Sequence, residues 1–483
     1  MNSLKNPSFT LSIVPVLMLI ILLIISVRTF GSNSLDGANQ LTLITAAAVC
    51  VAISLYKKQR SWKELEHGVI HNVSQSTSAI LILFFIGSLS GTWMISGIVP
   101  SMIYYGMQLI HPTVFLLTTC LLCSIVSVAS GSSWTTVATI GIAMMGIGKA
   151  LGYSDGWIAG AILSGAYFGD KISPISDTTN LAATISGTDL FTHVRYMLYT
   201  TIPSITIALL IFAVAGFVHH PQGDIDITQF TQALENHFYI SPFLFIVPII
   251  TFILILKKVP ATITLFLSTL MGSIVIAIAQ PHFITIIGGE EHVWLSGYRT
   301  ISQTIFGSTS IDTGNEMLNE LVSTRGMAGM LNTIWLIIAA MIFGGVMEAS
   351  GMLEVITQKM ITQMKSTFTT VFYTAFSGLF TNLTTSDQYL SIIIPAKMFA
   401  STYKQKGLPP QLLSRSIEDS ATVTSVLIPW NTCGMTQATV LGVATITYLP
   451  YCFFNLLSPL MTLLVAAIKY KIPSQHIESS QSE

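Results

Sequence analysis

Apolar residues in this chain come in runs long enough to cross a bilayer, and polar residues either punctuate those runs or interrupt them in two recurring ways. Runs at roughly 10–28, 39–56 and 76–98 have close to the ~20 residues that span a hydrocarbon core of about 30 Å. An interfacial segment at 99–111 follows. Two apolar arms, 112–130 and 134–150, are then separated by Ser130-Gly131-Ser132-Ser133. That polar break suits a re-entrant hairpin over 112–150 whose tip stops inside the membrane. A helix over 157–188, broken at Pro174, and a span at 194–218 complete the set. After a polar linker, 219–240, the order repeats: spans at 241–256, 260–280 and 329–349, a hairpin over 367–402, a broken helix over 409–448 and a span at 452–469. The polar loop 281–328 has no counterpart in the first half, and a tail, 470–483, ends the chain.

The repetition extends to residues. Ser96-Gly97 and Ser132-Ser133 recur as Ser350-Gly351 and Ser386-Asp387, with 36 residues between the two serines in each case. Together with the shared order of elements, this argues for an internal duplication, 1–218 and 241–469.

Charge placement sets the expected orientation. With the N-terminus inside, the cytoplasmic face receives Lys5, Lys57, Lys58, Arg60, Lys63, Arg195, Lys257, Lys258, Lys359, Lys365, Lys404, Lys406, Lys469 and Lys471, fourteen basic residues. The other face receives four: Arg28, Lys149, Arg299 and Arg325. This bias predicts both termini in the cytoplasm and an extracellular linker. Each half then crosses five times, so the halves are inverted. The expected fold class is an all-α polytopic membrane protein of two inverted repeats, each with a re-entrant hairpin and a broken transmembrane helix, as in secondary transporters.

Composition narrows the function. Of 483 residues, 51% are hydrophobic and 9% charged, with a net charge of −1, which excludes a nucleic-acid partner and makes lipid the surroundings. The apolar stretch from Leu11 to Val27 reads as a first helix rather than a signal peptide because so many spans follow. Cys120 and Cys123 lie in an apolar run and read as packing residues.

Polar groups inside the runs carry the chemistry, because charge at membrane depth costs about 2.5–3.5 kcal/mol even on insertion scales. The intramembrane acids are Asp170, Asp177, Glu348, Asp387, Glu418 and Asp419, against the bases Lys171, Lys397 and Arg415. Six acids against three bases favour a cation as cargo. Asp170, Asp177 and Asp387 adjoin helix breaks and are the expected Na⁺ ligands, with Glu418 and Asp419 as further proton-coupling candidates. Arg415 stands three and four residues before Glu418 and Asp419, the spacing of a helical ion pair, and Lys171 is a candidate partner for Asp170. Glu348 reads as interfacial. Ser132, Ser133, Thr178, Thr179, Asn180, Asn382, Thr384, Thr385, Ser386, Asn431 and Thr432 offer neutral oxygens of the kind a small hard cation takes, or else repair freed backbone. Gly156, Gly160 and Ser164, and separately Gly165 and Gly169, have small-xxx-small spacing for close helix packing.

Four segments also resemble a family. Gly169-Asp170-Lys171-Ile172-Ser173-Pro174-Ile175-Ser176-Asp177-Thr178-Thr179-Asn180, Ser130 to Trp134, Asp387-Gln388-Tyr389-Leu390, and Glu418-Asp419-Ser420 through Ile428-Pro429-Trp430-Asn431-Thr432-Cys433-Gly434 are similar, in order, to signature segments of NhaC Na⁺/H⁺ antiporters. Lys397, where arginine is common, and Val426, in place of a proline, depart from that pattern. The resemblance implies proton-coupled sodium export and the ion-transporter fold, but it also reaches malate/lactate exchangers.

The expected function is therefore secondary active exchange of Na⁺ for H⁺ across the cell membrane by alternating access. No enzyme activity and no cofactor beyond the transported ions are expected. The alternative is a Na⁺/H⁺-coupled organic-anion exchanger in which Lys397 or Arg415 holds a small carboxylate. The oligomeric state stays open, a homodimer being one option.

Overall fold

The computed structural model describes residues 7–30, 34, 36–218, 227–289, 292–314, 318–319 and 322–472. Lys5, residues 219–226 of the linker and the tail from 473 onward lie outside them. The described residues are mostly helical, joined by turns and short loops, with one isolated antiparallel bridge between Thr309 and Thr324. Seven helices among them are long and apolar enough to cross a membrane, and nine if two bent pairs each count as one span. The chain is a multi-pass all-α membrane protein.

Both hairpins turn by the same device. Phe115–Ser130 ends at Gly131, whose φ of 67° is left-handed, and Ser132 then caps the returning helix by accepting from Thr135 N at 3.2 Å. The return arm runs through Ser133–Thr136, a π-helical turn Val137–Gly141 and Ile142–Ala150. In the second hairpin, Thr367–Thr385 ends at Ser386 with φ 60°, and Asp387 caps Gln388–Gln405 by accepting from Leu390 N at 2.9 Å. Glycine is required at 131 for a second reason, since a Cβ there would lie 2.9 Å from the backbone of Ile175 and Ser176.

The broken helices sit against these tips. The first comprises Asp155–Ile172 and Asp177–Ser186, parted at Pro174, where the ring removes a donor and biases Ser173 away from helix. The second comprises Pro410–Ile417, a π turn Glu418–Thr422, a 3₁₀ turn Ser425–Leu427 and Thr432–Leu441. The small-residue stripes let helices touch. A Cβ at Gly165 would stand 2.3 Å from Cys120 O, one at Gly169 2.4 Å from Ser127 Cβ, and one at Gly160 2.4 Å from Tyr451 Cβ. Cys120 and Cys123 are buried in this packing.

One reading of the sequence is corrected. The stretch 281–328 is not a plain polar loop, for it contains helices Pro281–Gly288 and Val293–Phe306. Thr304 O of the second would lie 2.2 Å from a Cβ at Gly91, so this insertion is docked on Thr77–Ile95 through a glycine. The segment before that span is also helical, over Trp62–Gln75, because Ser61 and Glu64 form a reciprocal capping box that satisfies two orphan donors.

Candidate functional site

Asp170 lies in the last turn before the first break, 6% exposed, and both its carboxylate oxygens accept from hydroxyls. Ser133 Oγ, from the first hairpin tip, donates to Oδ2 at 2.6 Å, and Ser176 Oγ, from the break, donates to Oδ1 at 2.6 Å. Ser176 Oγ also lies 3.0 Å from Thr178 Oγ1. No basic side chain among the described residues forms an ion pair with Asp170. The break's carbonyls are reclaimed by its own side chains: Thr179 Oγ1 donates to the carbonyls of Asp170 and Lys171 at 3.1 and 2.9 Å, and Asn180 Nδ2 to those of Pro174 and Ser176 at 2.9 and 2.7 Å. Thr179 and Asn180 thus serve the backbone. Asp177 opens the second arm and is exposed, within electrostatic reach of Asp170.

In the second half the carboxylate is on the tip. Asp387 caps its helix, and Thr432 N donates to Ser386 O at 2.9 Å, fastening the second break to that tip. Asn382 Nδ2 donates to Ala421 O at 2.6 Å, Asn431 Nδ2 to Asn382 Oδ1 at 3.0 Å, and Cys433 N to Asn431 Oδ1 at 3.0 Å. Thr384 and Thr385 donate to carbonyls one turn back, at Phe380 and Thr381. Cys433 Sγ lies 3.2 Å from Gln388 Oε1, and the helix Gln388–Gln405 packs against Asp177–Ser186 of the first broken helix. The two halves therefore meet at their breaks.

A buried ion pair ties them. Lys171 Nζ pairs with Asp419 Oδ1, both fully buried, and donates to Ser458 Oγ at 2.8 Å; Thr200 Oγ1 donates to the same Asp419 oxygen at 3.1 Å. This corrects the expected pairings. Asp419 is the partner of Lys171 rather than of Arg415, and Lys171 is not the partner of Asp170. Arg415 instead lies over the Tyr196 ring, 4.5 Å from its centroid. None of its guanidinium nitrogens, and neither oxygen of Glu418, has a hydrogen-bond partner among the described residues. Lys397 and Glu348 are exposed.

A cavity of about 630 Å³ opens beside these elements, lined in part by Ile142, Met145 and Lys149 of the first hairpin's return arm, Met435 and Thr439 of the second broken helix, and Arg325. Among the described residues no three His, Cys, Asp or Glu side chains are grouped to hold a metal ion. A cation here would take one carboxylate with neutral oxygens.

The model of the Na⁺/H⁺ antiporter family matches residues 1–179 and 165–469. The chain belongs to this family. The NhaC Na⁺/H⁺ antiporter of Alkalihalophilus pseudofirmus is 38% identical over 83% of this chain and 84% of its own length. A malate-2H⁺/Na⁺-lactate antiporter of Bacillus subtilis is 36% identical over 92% of this chain and 91% of its own. The arginine/ornithine antiporter ArcD of Halobacterium salinarum is 34% identical over 99% and 96%. This NhaC-type chain is thus a transporter by family.

Several site groups of this antiporter-family chain escaped the sequence reading. Ser176 was visible within the first motif, two residues before Thr178, yet its bond to Asp170 depends on how the break folds back. Thr200 and Ser458 sit in ordinary spans with no local mark; only their long-range approach to Asp419 and Lys171 distinguishes them.

Proposed function

We propose that this protein exchanges Na⁺ for H⁺ across the cytoplasmic membrane, with Asp170 as the group for which the two cations compete. The observation that carries this reading is the contrast between two buried carboxylates: Asp419 is neutralised by Lys171, whereas Asp170 is met by the hydroxyls of Ser133 and Ser176 and by no basic side chain among the described residues. An ionised carboxylate buried without a counter-charge is costly. A proton relieves that cost, and so does a small cation on the carboxylate and the adjacent hydroxyls. Binding one excludes the other, and exchange is obligatory if the empty ionised site reorients poorly. Asp177 at the exposed side of the break and Asp387 at the opposite tip complete the anionic surroundings. Ser132, Thr178, Thr385, Ser386 and Thr432 serve as neutral neighbours.

In this reading the halves are inverted repeats with both termini cytoplasmic, and the large cavity is the outward vestibule. No cofactor takes part. A second reading draws on the same cavity: it is far larger than one dehydrated Na⁺ needs, and Lys149 and Arg325 line it, so a small organic carboxylate could travel with the cations.

The test is Na⁺-driven proton movement in proteoliposomes, with and without malate and lactate. Exchange by the wild type and none by Asp170→Asn is expected. Exchange surviving in well-folded Asp170→Asn would remove Asp170 from its role, and strict dependence on malate or lactate would favour the second reading.

A further inference from the structure

The helices Ala38–Tyr56 and Trp62–Gln75 both lie along Leu331–Ala349 but touch each other little beyond the turn that joins them. Each is held to that shared floor separately. Gln40 Nε2 donates to Asn332 O at 3.3 Å at one end of the floor, and Arg60 Nε donates to Ala349 O at 3.0 Å at the other. Gly68 lets the second helix press down, since a Cβ there would lie 2.5 Å from Ala349 Cβ and 3.0 Å from Gly345 O. A groove of about 470 Å³ is left between the two helices. Ile44, Ala47, Ala48 and Val51, at helical spacing, form one wall. Leu65, Val69 and Ile70 face them across a floor of Ile342 and Val346, and Glu66, also in the lining, is exposed. The wall from Ile44 to Val51 is about 10 Å long at 1.5 Å per residue, and Ile44, Ala48 and Ile70 are exposed along the rim.

The groove runs out at a basic turn. Ala38–Tyr56 closes in a Schellman motif, with Gln59 N donating to Ser54 O and Lys58 N to Leu55 O, and with Lys58 left-handed at φ 50°. This closure sets Lys57 and Lys58 on the surface, Lys57 lying 5.6 Å from the centroid of the exposed Tyr56 ring. Lys63 follows in the first turn of the next helix, beside Trp62, which is 58% exposed and also lines the groove. Residues 57–66 hold four bases, Lys57, Lys58, Arg60 and Lys63, against two acids, and one of these, Glu64, is turned onto the Ser61 cap at 2.6 Å. An apolar slot that opens sideways from a span and ends among aromatic and basic side chains matches the chemistry of a lipid with a negative headgroup.

We propose that this groove binds one anionic phospholipid, its phosphate met by Lys57, Lys58 and Lys63 and one acyl chain laid along Ala48 over Ile342 and Val346. A second copy of the chain docked here about a two-fold axis would bring two basic turns together. A water-soluble phosphate would leave the apolar slot uncovered. No part of this site depends on which ions the protein exchanges.

The test is native mass spectrometry of the detergent-purified full chain given equal amounts of phosphatidylglycerol and phosphatidylcholine. The wild type should retain phosphatidylglycerol at least about tenfold over phosphatidylcholine, because each basic residue near the headgroup adds to the attraction. Changing Lys57→Gln, Lys58→Gln and Lys63→Gln together should bring that preference to about twofold or below. Lys404→Gln, Lys406→Gln and Lys471→Gln together remove the same charge elsewhere and should leave the preference intact. Ala48→Phe, which fills the slot from its exposed rim, should lower retention of both lipids at least about fivefold, because buried methylenes carry the acyl chain's share of the affinity. Equal retention of the two lipids by the wild type, or equal loss in the two lysine triples, would overturn the site. Unchanged retention in Ala48→Phe would overturn it too, and a dimer lost with retention unchanged would give the groove to a second copy instead.

Discussion

The two hairpin-and-break units are built alike but carry their carboxylates in different places. Each tip passes through one left-handed residue, Gly131 or Ser386, into a capping residue, Ser132 or Asp387. In the first unit the tip contributes a hydroxyl and the broken helix the carboxylate, through Ser133 and Asp170. In the second the tip contributes the carboxylate, Asp387, which spends one oxygen on Leu390 N. The lesson is that similar backbone breaks can leave one carboxylate among hydroxyls with no basic partner and give the other a helix-capping task.

The sharpest way to break this comparison is to neutralise each acid in turn. Asp170→Asn should abolish exchange. Asp387→Asn should fold normally, because Asn caps helices as well as Asp, and should weaken apparent Na⁺ affinity while leaving exchange measurable in vesicles. Equal loss at both positions would erase the distinction.

Next in size is the pair joining the halves. Lys171→Gln leaves Asp419 buried and uncompensated, a change that costs about 3–5 kcal/mol in buried pairs. The double change with Asp419→Asn should recover much of that thermal stability, whereas the double change with Asp170→Asn should recover neither stability nor exchange. Recovery by the Asp170 double mutant would reinstate the local pairing that the structure replaces.

Packing gives a smaller contrast. Gly169→Ala drives a Cβ against Ser127 and should lower stability by about 1–3 kcal/mol, while Gly297→Ala, where nothing lies within 4 Å, should be neutral or gain up to about 1 kcal/mol from helix propensity. Melting curves in one detergent would separate the two.

The smallest effect isolates the cap. Asp387→Ala should be less stable than Asp387→Asn by about 1 kcal/mol, a difference read from paired melts. No difference would mean that the Leu390 bond contributes little.

The length and spacing of apolar runs determined a great deal on their own. Runs near 20 residues had to become helices, because backbone left unpaired in hydrocarbon is too costly, and Pro174 and the Ser-Gly-Ser-Ser stretch had to interrupt them. Acids beside those interruptions were thereby marked as candidates for a site. Sequence also marked Gly165 and Gly169 as contact points, since their spacing survives in the packed helices. Pairing lay beyond its reach. Arg415 stands at ideal helical spacing to Asp419, yet Asp419 turns to Lys171, some 250 positions earlier in the chain, because the π turn at Glu418–Thr422 shifts the register on which the helical rule depends. Likewise Thr179 and Asn180 look like ligands by type but are claimed by carbonyls that the break itself exposed. Local pattern determined where the backbone must break; only the tertiary fold decided which polar group each break, charge and hydroxyl would meet, because partners at membrane depth are set by approach in space and not by separation along the chain.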